Sequence, residues 1–284
     1  MPCGRPITRS RGPFGLWCLA VAAAPAAAPA QVAPNLAARY LHPTEVSDAR
    51  ALWVNPAGLG RFEEASVHLD LSIGDPGAKG RLRQVSLGFN SRGLSFGYQR
   101  DLFDGGVRGG TYRIGFAAGH AGLAAGAAAA LYRGGSSSTG WDLGVLYEWT
   151  PALTLGGVIQ DIGQPRVRDS TLRVTYVPSA TLDLGGGRLA LSGLGRLTAD
   201  GVQSYAFAVR AGLRPASPMP IGLLARLETN RSLHRAGFAF GFSLGGADMA
   251  GLIAVAPGDL SNLDALGLYG VSTRRLSSSG RRPR

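Results

Sequence analysis

The residues of this chain that could do chemistry are few and scattered. Gly93, Ser95 and Gly97 fit the GxSxG spacing of a nucleophile elbow, a motif that works only where a strand turns sharply into a helix. Here Ser95 sits inside an alternating run, with Ser95, Gly97 and Gln99 against Leu94, Phe96 and Tyr98, so hydrolase chemistry is not expected. His42, His68, His120 and His234 are dispersed without metal-ligand spacing. No glycine-rich loop follows a strand and opens a helix, so neither a metal nor a cofactor is expected, and no enzymatic activity. What remains is a set of isolated charges: Asp70, Arg113, Asp142, Glu148, Arg173, Arg210, Arg226, Glu228 and Arg235. Enclosed together, they could form a polar network or a ligand-selecting constriction. The alternative is that they brace a wall or a plug by ion pairs.

The elements that must position these charges are strands. In 141–161, Trp141, Leu143, Val145, Tyr147 and Trp149 form one face, against Asp142, Gly144, Leu146 and Glu148. A period of two is what a strand presents as two faces. Thr150, Pro151 and Ala152 reverse the chain, and Leu153, Leu155, Gly157 and Ile159 resume the apolar face. The same alternation runs through Val67 to Ile73, Val85 to Phe89, Leu94 to Tyr98, Tyr112 to Phe116, Tyr205 to Leu213, Ile221 to Leu227 and Phe238 to Leu244. Further strands are expected at Leu172 to Tyr176, Leu189 to Leu197, Leu252 to Val255 and Leu266 to Val271. The run Ile114 to Tyr132 is apolar enough for a membrane helix, but its four glycines and alternating flanks predict two strands joined at His120.

The connections alternate in length. NSRG, GHAG, TPA and GGAD are tight, and longer polar loops lie between them, with PSATLDLGGG and RPASPMP as exceptions on the short side. The faces opposite the aromatic and aliphatic ones carry Gly, Ala, Ser and isolated charges. A soluble sandwich would put Lys, Glu and Thr there; a closed barrel with lipid outside and a narrow or plugged lumen needs small residues. The expected fold is therefore all-β: a transmembrane up-and-down antiparallel barrel of about fourteen strands over residues 65–273.

Residues 1–30 are basic, then apolar from Phe14 to Ala24, then rich in Pro and Ala. This predicts a signal peptide cleaved near Ala30, before Gln31. An uncleaved anchor would need a longer run, and Trp17 argues against a lipoprotein site at Cys18. Both cysteines, Cys3 and Cys18, fall in that segment, so the mature chain would carry no disulfide or thiol chemistry. The net charge of +11 rests on arginine, with Lys79 the only lysine. These arginines are spread out, apart from a basic tail at 274–284, and a secreted chain meets no DNA, so nucleic acid is not an expected partner.

Residues 31–64 form a separate N-terminal segment. Gln31 to Ala38 reads as flexible, and Thr44 to Val54 as a short helix capped by Thr44. Then come Asn55, Pro56, Ala57, Gly58 and Leu59, where Asn55 can cap a new turn with Pro56 at its first position. As structure this is a helix end and a turn; as function it is a plug or hatch against the barrel wall.

Asp48 to Leu59 (DARALWVNPAGL) resembles the N-terminal NPA segment of FadL-type outer-membrane transporters, and more closely that of PorV/PorQ-like proteins. Pro151 to Pro165 (PALTLGGVIQDIGQP) resembles a strand-plus-NxG stretch of the latter, with Asp161 in place of the usual Asn. The resemblance implies a fourteen-stranded outer-membrane barrel with a plug near Asn55 and Pro56. It also implies one of two roles: passive passage of small hydrophobic solutes, or a scaffold or shuttle in a protein-secretion or envelope machine. The expected partners are outer-membrane lipid and either hydrophobic small molecules or a secretion-system component. The chain departs from these families in its short loops and in ending on SSSGRRPR rather than a terminal aromatic.

Overall fold

The structure, a computed structural model, describes residues 33–276 except 75, 77–79, 105–107, 135, 168–169 and 214–216. The expected signal peptide, its cleavage point and the tail beyond Leu276 lie outside the described residues. Strands β1 (Glu64–Gly74), β2 (Arg81–Ser91), β3 (Leu94–Leu102), β4 (Arg108–His120), β5 (Leu123–Gly134), β6 (Ser136–Thr150) and β7 (Leu153–Ile162) form the first half of a sheet. A small hairpin follows, β8 (Arg166–Val167) and β9 (Ser170–Thr171). The sheet continues with β10 (Thr175–Leu184), β11 (Leu189–Thr198), β12 (Gly201–Leu213), β13 (Ile221–Asn230), β14 (Arg235–Gly245), β15 (Asp248–Pro257) and β16 (Ala265–Arg275). Each strand pairs antiparallel with its sequence neighbour, β7 with β10, and β16 with β1, which closes a fourteen-stranded barrel. Closure leaves no edge strand, the condition for putting a sheet into lipid.

The faces follow the alternation. Along β1, Ser66, His68 and Asp70 are buried inside, while Val67 and Leu69 are about half exposed outside. Trp141, Tyr147, Trp149, Phe207 and Phe240 stand on the outer surface. Barrel strands run from 9 to 15 residues. At ~3.4 Å per residue and a tilt near 40°, that spans a hydrocarbon layer of about 25 Å. One end carries tight turns: Arg92 and Gly93, and Ala121 and Gly122, both take positive φ in succession, the geometry that joins two twisted strands most directly. The other end carries the longer connections after β1, β3, β7 and β15, β8 and β9 among them, but also short ones after β5 and β11, and the first end holds the seven-residue link between β12 and β13, so the expected alternation of length holds only in part.

The N-terminal segment fills the lumen. Helix α1 (Leu36–Tyr40), helix α2 (Ala51–Val54) and the 3₁₀ turn Pro56–Gly60 are buried inside the barrel, the last against β4, β5 and β6. Four sequence expectations need correction here. The stretch expected to be flexible, Gln31 to Ala38, runs into α1, because the Asn35 side chain accepts from Ala37 N and Leu36, Ala37 and Tyr40 bury one stripe. The helix expected from Thr44 is only Ala51–Val54, because the Thr44 hydroxyl bonds the wall at Thr181 (2.6 Å) instead of capping. PSATLDLGGG is not a connection: Thr175–Leu184 is strand β10, and Pro178 is tolerated where the ladder to β11 is missing at Val177 and Pro178. Leu172 and Val174 precede that strand, and Leu172 folds over the inner cluster of Ala130, Tyr132 and Val167.

Candidate functional site: the plugged lumen

The plug is pinned at Asn55. It is fully buried, accepts from Ala57 N at 3.1 Å and donates through Nδ2 to the carbonyls of Pro43 (3.2 Å) and, more weakly, Val145 of the wall (3.4 Å). Pro56 opens the turn with the fixed φ this position wants. The wall is thinned to receive it. A Cβ added at Gly144 would strike Asn55 Oδ1, and one at Gly126 would lie 2.5 Å from the Pro56 carbonyl oxygen. Asn55→Ala should therefore weaken plug docking by about 1–2 kcal/mol, through a lost cap and stranded carbonyls. The check is the urea midpoint for plug release, followed by Trp53 emission in a W141F/W149F background.

A second anchor is ionic. Arg50 is 4% exposed and bonds Asp48 at 2.6 and 3.0 Å and the Tyr40 hydroxyl at 3.0 Å. Its guanidinium lies 5.1 Å from the Tyr269 ring centre, and Tyr269 in turn stacks on Tyr40 at 5.2 Å. Burial alone would raise the Asp48 carboxyl, but the charge and hydrogen bonds of Arg50 hold it below its usual 3.8. From β1, Asp70 accepts from Ser86 at 3.4 Å and stands 3.8 Å from His68 Nε2.

The charges singled out in the sequence mostly meet the plug or one another. Arg113 binds Asp142 at 2.5 Å, donates to the Leu52 carbonyl at 3.1 Å and lies over the Trp53 ring at 5.3 Å. Asp142 also accepts from the Asp161 amide at 2.9 Å, and Asp161 accepts from Tyr132 at 3.1 Å. Arg226, buried to 2%, donates to the carbonyls of Ala38 and Leu41, with Glu228 at 3.7 Å. Arg210 reaches Glu45 of the plug at 3.0 Å, and Glu148 pairs with Arg61 at 2.7 Å at the short-turn end. Two stand apart: Arg173 pairs with Asp200 at the rim, and Arg235 is the exposed first residue of β14 without an ion pair among the described residues. Ser95 is buried in β3 and donates to the Phe89 carbonyl at 2.7 Å.

Sequence reasoning missed one clasp. Gln84 and Gln99 donate to the buried Asp101 and to the carbonyls of Pro34 and Ala33, and Asn35 donates to Gln99 at 2.8 Å. The signal was available, since Gln84, Gln99 and Asp101 fall on the inner faces of β2 and β3.

His42 gives the plug a pH dependence. It is 1% exposed, and its Nδ1 lies 3.2 Å from the Thr44 hydroxyl. Burial, with Arg226 and Arg196 as like charges, pushes the imidazole from 6.5 down to about 3. As pH falls from 6.5 toward 3, the undocked plug takes up a proton that the docked plug excludes, so docking weakens. At about 1.4 kcal/mol per pH unit the loss by pH ~4 is ~3 kcal/mol. His42→Gln should flatten that slope in the same Trp53 assay. Asp48 acts in the same direction, but only below 3.8.

Two separate cavities flank the plug. The one toward the longer loops has about 420 Å³ and is lined by Trp53, Tyr132 and Leu172 together with Gln99, Gln160 and Arg196. The one toward the short turns has about 450 Å³, with Tyr40, Val46, Leu224, Ile253 and Tyr269 in its lining. Among the described residues there is no cluster of His, Cys, Asp and Glu able to hold a metal.

No protein-family model matches the sequence, and a search of curated proteins finds no match. Among solved structures, the barrel is similar to a Pseudomonas aeruginosa FadL homologue, at 11% identity over 84% of this chain and 96% of that chain, TM-score 0.47. It is similar to the Ralstonia pickettii toluene transporter TbuX, at 12% identity over 84% and 98%, TM-score 0.49. It is also similar to the Pseudomonas putida toluene transporter TodX, at 11% identity over 83% and 96%, TM-score 0.47. The likeness is one of barrel architecture.

Proposed function

We propose that this chain is an outer-membrane channel for passive passage of small hydrophobic solutes, with the N-terminal segment as its hatch. The observation that carries this reading is the pair of cavities in series, one on each side of the plug and both within the size range of small-molecule sites. The cavity toward the short turns offers mainly aromatic and aliphatic surface, while the one toward the loops sets Trp53, Tyr132 and Leu172 among polar and charged side chains, including Arg39, Arg113, Asp161, Arg196 and Glu228. The turn at Asn55, Pro56, Ala57, Gly58 and Leu59 is the hatch hinge. Arg113, Arg210 and Arg226 hold the hatch shut by contacts that a shift of the plug would exchange for water, with Asp142 and Glu228 positioning Arg113 and Arg226 from the wall and Asp70 standing beside His68 and Ser86. TbuX and TodX are toluene transporters; for this chain a monoaromatic hydrocarbon is the first solute to try.

The test is uptake of toluene into proteoliposomes by the wild type and by a chain lacking residues 33–60. Uptake that responds to removal of the plug supports the channel. Absence of flux from both, with co-purification of a large envelope partner, would replace it with the scaffold reading.

A further inference from the structure

The outer wall at the loop end of β3, β4 and β5 carries three arginines that the lumen does not use. Cross-strand register sets Arg100 opposite Gly110 and Gly110 opposite Arg133, with Arg108 opposite Leu102 one step nearer the loops. Alternation puts all three on the face of Tyr98, Tyr112 and Leu131, which is the lipid-facing one. Tyr98 and Tyr112 pack with ring centres 4.9 Å apart just below the arginines, and Phe96, Ile114 and Phe116 continue the apolar surface beneath them. The vertical order is therefore hydrocarbon contact, tyrosine, then cation, the order of a membrane interface.

None of the three arginines has an ion pair among the described residues. The nearby acids are occupied elsewhere: Asp101 points inward and is fully buried, and Asp104 is held by Arg81 and Arg83. Arg100 and Arg133 are two strand spacings apart, about 10 Å at the backbone, so their long side chains can converge on one group. Gly110 between them leaves the space open, since an added Cβ would meet nothing nearer than 3.8 Å. Three like charges gathered beside a low-dielectric layer repel one another unless an anion sits among them. Arginine's fork of donors suits phosphate oxygens.

We propose that Arg100, Arg108 and Arg133 form a binding site for the phosphate groups of an anionic glycolipid of the lipid A type in the outer leaflet, its acyl chains lying along Tyr98, Tyr112 and Ile114. The commitment to a lipid rather than a soluble anion comes from the apolar and tyrosine surface directly continuous with the cations. It comes also from the end of the barrel concerned, since longer loops face outward in such barrels. The site is separate from the lumen and independent of any transport.

The experiment uses the full chain in phosphatidylcholine nanodiscs containing a small fraction of lipid A, with bound lipid counted by native mass spectrometry after release into detergent. The wild type should retain lipid A at least tenfold above its share of the bilayer. R100Q/R108Q/R133Q should fall to the bilayer share, while the charge-matched R92Q/R188Q/R231Q should match the wild type. Heat-modifiable migration on gels shows which variants have folded; R100Q/R133Q, expected to lose most of the enrichment, replaces the triple variant if that fails to fold. Equal retention in the arginine variants, equal loss in the charge-matched one, or displacement of the lipid by millimolar inorganic phosphate would overturn the proposal.

Discussion

Replacing Gly144 by leucine should expel the hatch and turn a closed barrel into an open one. Gly144 lies on the inner face of β6, where even an added Cβ would strike Asn55 Oδ1 and approach Ala57 N to 3.0 Å. The neighbour cannot yield, because Asn55 is fully buried and its side-chain bonds hold the turn in place. Overpacking of this kind costs about 1–3 kcal/mol, and each broken Asn55 bond adds about 1 kcal/mol. A total near 4 kcal/mol corresponds to roughly a thousandfold gain in the undocked population. The ladder of β6 is backbone-bonded on both sides and should persist. Planar-bilayer recordings should show larger and longer openings than the wild type, with heat-modifiable migration unchanged. Gly144→Ala should give a milder version, and adding N55A to it should recover closure only in part, because it relieves the clash with the Asn55 side chain but also removes that side chain's bonds and leaves the close approach to Ala57 N. Wild-type conductance in Gly144→Leu would mean that the turn does not rest on this wall.

The second large effect is expected from Asp48→Ala. It leaves the Arg50 guanidinium buried against the stacked Tyr40 and Tyr269 rings without its nearest carboxylate. Removing one partner of a buried pair costs about 3–5 kcal/mol, because the remaining charge stays desolvated. Asp70 on β1 can offset part of this, so D48A/D70N should cost more than D48A. D48A/R50M should recover most of the loss, since an apolar side chain of similar length suits the aromatic surroundings. Hydrogen exchange of Leu36 to Gly60 measures all three variants against the wild type; equal protection in D48A and wild type would remove this pair from the list of anchors.

The alternation of residues carried most of the barrel into view. Trp141 to Trp149 declare one face of β6, as Phe238, Phe240 and Phe242 do for β14, and glycines such as Gly126 and Gly144 declare the opposite one. The two strands of Ile114 to Tyr132 were legible because the glycines there oppose a helix. Where the reading failed, a tertiary partner had overridden the local signal. Thr44 has a cap-like sequence context, but its hydroxyl is engaged by Thr181, far along the chain. Leu36 to Tyr40 is too short to show periodicity, and it is helical because the lumen buries its stripe. Pro178 lies in a stretch that read as a connection, and the strand that forms there instead admits it at a local gap in the pairing with β11. Among the lumen charges, Arg113, Asp142, Arg210 and Arg226 could be placed on an inner face from parity alone. Their partners could not, because Leu52, Glu45 and Ala38 belong to a plug whose path no pattern encodes.

The most direct test is oxygen accessibility of single spin labels in the reconstituted protein. Labels at Leu69, Leu143 and Phe240 should collide freely with lipid-dissolved oxygen and poorly with a water-soluble nickel chelate, while labels at Ser86 and Leu52 should be shielded from both. Shielding at Leu69, Leu143 and Phe240 together with chelate access at Ser86 would contradict a lipid-facing barrel closed around its own N-terminal segment.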